Sequence, residues 1–160
     1  MRLLLPLILC VFLVACGADA GSDWSELDLT GHRVALTIMA PDSAKVVSKN
    51  LSGVIQDVTI RSPEDNYSVQ VLASQAVSTD MAKLKASQLD LVRDGRYFER
   101  IVTEEPNGFI FENKIDTTSI YGFRYIVSQG DQEFVFQNGM ESTFNLPQTE
   151  AMYSAVKQKK

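Results

Sequence analysis

From Trp24 onward, apolar residues recur at every second position in short runs, and each run is broken by turn-forming residues. A period of two places alternate side chains on opposite faces of an extended chain, so this rhythm commits most of the sequence to strands with one buried face. Val34, Leu36 and Ile38 alternate with Ala35, Thr37 and Met39 until Pro41 ends the run. Val58 and Ile60 mark a shorter strand, and Tyr67, Val69 and Val71 alternate with Ser68 and Gln70. Residues 62–66, Ser-Pro-Glu-Asp-Asn, read as the turn between these two. Residues 97–103 and 109–113 form a hairpin around Pro106, Asn107 and Gly108, and residues 120–128 pair with 132–137 across Gly130 and Asp131. Such short connections dictate antiparallel pairing.

Two stretches keep a helical period instead. Met81, Leu84, Gln88, Leu89 and Val92 recur at steps of three and four, with Ser78 or Thr79 as the expected cap and Asp94-Gly95 as the stop. Leu146-Pro147 opens a second helix through Met152, Ala155 and Val156, with lysines after it where the helix dipole favours them. Apolar residues are 45% and charged residues 22% of the chain, which suits a folded body. The expectation is an α+β fold, a mainly antiparallel sheet covered by helices, as one domain over residues 24–160.

Ahead of the body, Arg2 precedes an apolar run over residues 3–14, about twelve residues and well short of the roughly 20 that span a bilayer. It ends in Leu13-Val14-Ala15-Cys16-Gly17, which resembles the lipobox of bacterial lipoproteins. The resemblance implies a signal peptide over residues 1–15, a diacylglyceryl group on the Cys16 sulfur, and cleavage just before that residue. Residues 16–23 are then a small, polar, flexible tether. Bacterial lipoproteins carry two or three acyl chains, and each buried methylene contributes about 0.8 kcal/mol, so the protein is expected to stay on its membrane. Gly17 rather than Asp after the lipidated cysteine implies the outer membrane in a host with two membranes.

The order of elements in the body is similar to that of PsbP/Mog-type domains, an α/β/α sandwich. The cues are the opening run from Arg33 to Pro41, the run from Tyr67 to Val71, and the aromatic sequence Tyr121-Gly122-Phe123-Arg124-Tyr125. That group includes an extrinsic photosystem subunit, a nuclear-import accessory factor that binds a small GTPase, and bacterial lipoproteins. It implies a binding or assembly role without catalysis, and it transfers no site residue to this chain.

The residues themselves argue the same way. Cys10 and Cys16 both lie in the leader, so the body has no thiol for a disulfide, a metal or nucleophilic attack. His32 is the one histidine and lacks partners for a triad or a zinc site. Acidic pairs at Glu64-Asp65, Glu104-Glu105 and Glu26 with Asp28 read as solvated turn residues, and no calcium loop or glycine-rich phosphate loop is present. No cofactor is expected. The net charge of −5 comes from interspersed charges, which argues against nucleic acid as a partner.

Aromatic residues form the most distinctive set. Tyr121, Phe123 and Tyr125 fall on one face of their strand, with Phe109, Phe111, Phe134 and Phe136 at the same period nearby. They read foremost as the sheet face beneath a helix and secondarily as the lining of an apolar groove. Trp24, between tether and body, is the other candidate contact, either a packed anchor or a partner site. The expected function is a lipid-anchored, non-catalytic binding or assembly module of the bacterial envelope, with an envelope protein as partner. A carrier of an apolar small molecule and an envelope hydrolase built from scattered carboxylates and serines are the alternatives.

Overall fold

In the computed structural model, residues 23–158 are described. The apolar leader, Cys16 and the tether up to Ser22 lie outside the described residues. Nine strands and two α-helices follow one another as β1 (Ser25–Asp28), β2 (Thr37–Ala40), β3 (Lys45–Leu51), β4 (Ile55–Ser62), β5 (Tyr67–Gln75), α1 (Met81–Arg93), β6 (Phe98–Glu105), β7 (Gly108–Ile115), β8 (Thr118–Gln129), β9 (Gln132–Asn138) and α2 (Leu146–Ala155). Seven strands form one sheet in the order β3-β4-β5-β9-β8-β7-β6, and every neighbouring pair is antiparallel. β1 and β2 make a separate antiparallel pair. The molecule is therefore an α+β fold dominated by antiparallel sheet.

Paired residues share a face, so the register divides the large sheet into two sides. Val58, Val71, Phe136, Tyr125 and Gly108 stand opposite one another in one row. That side packs against Met152, Tyr153 and Ala155 of α2, Val156 just after it, and Ile38 and Ala40 of β2, which together form the main core. On the other side Leu84 of α1 meets Ile126 and Val135, while Leu89 and Val92 meet Phe109 and Phe111. The two helices thus lie on opposite faces, and α1 covers only the half of its face built by β6 to β9.

Local sequence explains the helix ends. Asp80 caps α1, accepting hydrogen bonds from the Ala82 and Lys83 amides, in place of the expected Ser78 or Thr79. Ser78 acts one step earlier, its hydroxyl accepting from the Asp80 amide at 3.1 Å. A carboxylate adds charge to the cap, and such caps contribute about 1 kcal/mol. Asn145 and Gln148 form a reciprocal capping box at α2, with Pro147 in its first turn. Gly108 matters for seating α2, because a Cβ there would run into the Tyr153 ring and the Arg124 carbonyl.

The opening run departs from a single long strand. Val34, Leu36 and Ile38 are buried, as the alternation predicts, and Leu29 and Ala40 are buried with them, but ladder pairing starts only at Thr37. Residues Thr30–His32 form a 3-10 turn and Arg33 takes a positive φ of 64°, which folds Leu29 back onto the core.

Candidate functional site

The aromatic stripe lies in the core. Phe123 is 0% and Tyr125 7% exposed. Both rings meet Tyr153 of α2 edge-on, at 5.8 and 5.9 Å between centroids, and Tyr125 also packs near Phe136 at 6.5 Å. α2 therefore fills the space that a groove would need. Tyr121 is half-buried, and its backbone is tied to α2 and the segment before it: its amide donates to the Phe144 carbonyl at 3.0 Å and its carbonyl accepts from the Thr149 hydroxyl at 3.4 Å. Phe109 and Phe111 do not join this stripe; register places them on the opposite face beneath α1. Trp24 is half-buried and stands edge-on against Tyr67 at 4.9 Å, so it clasps the start of the body to the fifth strand.

Several of the remaining polar residues singled out from the sequence have structural partners. His32 Nδ1 lies 3.4 Å from the Ser48 hydroxyl. Lys85 donates to Glu104 at 2.9 Å, and Lys157 donates to Glu105 at 2.8 Å. Tyr153 donates its hydroxyl to the other Glu105 oxygen at 3.2 Å, and burial together with that carboxylate pushes the phenol well above its ordinary value. Asp28 accepts from both the amide and the hydroxyl of Thr30, which lowers its carboxyl below the usual range. Asp28 and Glu104 are exposed, as the reading of solvated residues expects, while Glu104 and Glu105 also tie the end of β6 to Lys85 of α1 and to Tyr153 and Lys157.

One cluster was not visible in the sequence. Ser43, Ser62 and Asp65 converge where the loop after β2 meets the β4–β5 turn: Asp65 Oδ2 accepts from Ser43 at 2.7 Å and from Ser62 at 2.5 Å, and the two hydroxyls are 2.7 Å apart. A serine beside a carboxylate is the minimal material for a hydrolase. Here the Ser62 and Ser43 hydrogen bonds hold the Asp65 carboxyl below its ordinary value, so it is a poor base for activating either hydroxyl. The cluster closes a turn. Its only sequence signal is Asp65 three residues after Ser62.

A second polar assembly crosses the α1 side of the sheet. Thr59, Gln70, Gln137 and Arg124 stand in one cross-strand row. Gln137 donates to Gln70 at 2.6 Å, and Gln70 donates to Asp57 at 2.9 Å. Arg124 donates to the Phe123 carbonyl and stacks over Phe111 at 5.7 Å. Among the described residues no carboxylate pairs with it, and burial lowers its guanidinium to about 10.

Among the described residues, three of the surface clefts bear on the site. One of about 480 Å³ lies between the β1–β2 pair and the end of α2, lined by Glu26, Asp28, Thr37, Met39, Lys157 and Gln158 among others. Two near 200 Å³ flank Arg61 and Glu141. Tyr121, Phe123, Tyr125 and Trp24 line none of the three. Among the described residues no three His, Cys, Asp or Glu side chains gather as metal ligands, and no helix is long and apolar enough to cross a membrane. No family model, curated protein or solved structure matches this chain. The fold and its surface define the protein only as an α+β domain with most of its aromatics packed inside.

Proposed function

We propose that this chain is a lipid-anchored, non-catalytic binding or assembly module of the bacterial cell envelope. The observation that carries the reading is the apolar run ending in Leu13-Val14-Ala15-Cys16-Gly17. The hydrophobic segment presents Cys16 to a membrane-embedded enzyme, small Ala15 leaves the backbone open to cleavage, and the cysteine sulfur accepts the lipid. Two helices on opposite faces of an antiparallel sheet support the further reading of a PsbP/Mog-type sandwich. The Ser62 and Ser43 hydrogen bonds that keep Asp65 a weak base support binding over hydrolysis.

Anchoring is tested by metabolic labelling with palmitate and mass spectrometry of the mature N-terminus. The wild-type chain should incorporate label and begin at an acylated Cys16. Cys16→Ser should abolish labelling and leave the precursor uncut. An unmodified sulfur in the purified protein, or a mature start elsewhere, overturns the reading. The envelope partner is sought by crosslinking in intact cells. Reproducible recovery of lipid alone would favour the carrier alternative instead.

A further inference from the structure

We infer that the outer edge of β3 pairs with β3 of a second copy of this chain, antiparallel and in one register centred on Ser48. The sheet has two edges, β3 and β6, and they differ in kind. The β6–β7 ladder slips twice, between Phe98 and Arg100 and between Ile101 and Thr103. Such irregularities bend an edge strand and spoil it as a template. β3 pairs with β4 without interruption from Lys45 to Leu51, so its outer side presents a regular row of amides and carbonyls.

Side chains decide which strand that edge accepts. Lys45, Val47, Lys49 and Leu51 share the face that α1 leaves open, with Val47 51% and Leu51 43% exposed. A two-fold axis normal to the sheet, running between the two strands, keeps this face on the same side in both copies, so one residue must stand opposite its own copy. Among registers that pair five or more of the seven strand residues, only centres at Val47, Ser48 and Lys49 remain. Centring on Val47 sets Lys45 opposite Lys49, and centring on Lys49 sets that lysine opposite its own copy. Directly opposed like charges are destabilising. Centring on Ser48 pairs Lys45 with Leu51 and Val47 with Lys49, and it uses all seven residues. Each lysine stem then lies along an aliphatic side chain while its ammonium reaches water. The lysines that would guard the edge against arbitrary strands thereby select one self-pairing.

Seven residues of edge contact bury far less than the roughly 1,200 Å² of a stable interface, so the dimer is weak and its population rises with local concentration. The pairing does not depend on acylation, although confinement to a membrane would favour it.

The test places one cysteine at a time in the full-length chain, as Val47→Cys, Ser48→Cys or Lys49→Cys, with mild oxidation at millimolar concentration. The parent chain gives the background from Cys10 and Cys16. Ser48→Cys should crosslink well above background, Val47→Cys and Lys49→Cys should not do so singly, and the last two mixed should crosslink to each other. Background crosslinking at all positions, or a stronger yield from Val47→Cys or Lys49→Cys alone, overturns the inference. Sedimentation equilibrium of two exposed-site variants provides an independent readout. Leu51→Glu, facing Lys45 of the second copy, should tighten the dimer by about fivefold, and Leu51→Lys should weaken it about as much. Equal or reversed shifts also overturn it.

Discussion

The two faces of the seven-stranded sheet are built from the same alternating strands, yet they finish differently. On the α2 side, Val58, Val69, Val71, Phe123, Tyr125, Phe134 and Phe136 meet a helix and a strand pair that close over them, and nearly every side chain is buried. On the α1 side, polar residues enter the rows beyond the helix, with Asp57, Thr59, Gln70, Gln137 and Arg124 among them, and Val47 and Leu51 at the far edge stay exposed. The first face derives its stability from removing apolar area from water. The second pairs polar groups with one another in a relay from Gln137 through Gln70 to Asp57. A face that is fully covered carries the fold, whereas a half-covered one leaves surface, including the β3 edge, for contact with other molecules.

Substitutions on each face sharpen this contrast. Phe123→Ala on the closed side removes a fully buried ring next to Tyr153 and should cost about 3–5 kcal/mol in denaturant unfolding. A loss below about 1 kcal/mol would mean that α2 is loosely seated. Gln70→Ala on the open side takes the acceptor from Gln137 and the donor from Asp57, and the same measurement should show a loss of about 1–2 kcal/mol. A cost as large as that of Phe123→Ala would show that the polar relay is as important to the fold as the aromatic core.

The smallest effect is expected at Glu133, also on the α1 side, where burial raises the carboxyl above the usual 4.5. A folded state that holds its proton more tightly than the unfolded chain loses stability as pH climbs from that ordinary value through the raised one. Glu133→Gln should therefore leave stability at pH 3.5 unchanged and raise it slightly at pH 7. Unfolding curves at the two pH values check this, and a loss at pH 7 would reveal a favourable partner for the carboxylate.

The fold was legible wherever burial was one-sided. Tyr67, Val69 and Val71 announce β5, and Leu84, Leu89 and Val92 announce α1, because a single covered face imposes its period on the residues. β3 and β1 were not anticipated for the complementary reason. Along β3 only Val46 is even partly covered, so Lys45-Val46-Val47-Ser48-Lys49-Asn50-Leu51 has no buried face to write a period. β1, Ser25-Glu26-Leu27-Asp28, is too short and too exposed to differ from a loop. The aromatic set was visible as a set but not as two, since period alone cannot tell which face of one hairpin matches which face of the next.

What the sequence determined unaided was a chain of antiparallel strands with two helices, an apolar run over residues 3–14 ahead of Cys16, and no cysteine from residue 24 onward. These follow from local pattern and covalent chemistry, which need no knowledge of distant neighbours. Only the tertiary structure decided that α2 closes over Phe123 and Tyr125, that Phe109 and Phe111 face the other way, and that Ser43, Ser62 and Asp65 meet. Register, helix placement and the joining of loops are long-range relations, and their energies arise from contacts between segments far apart along the chain.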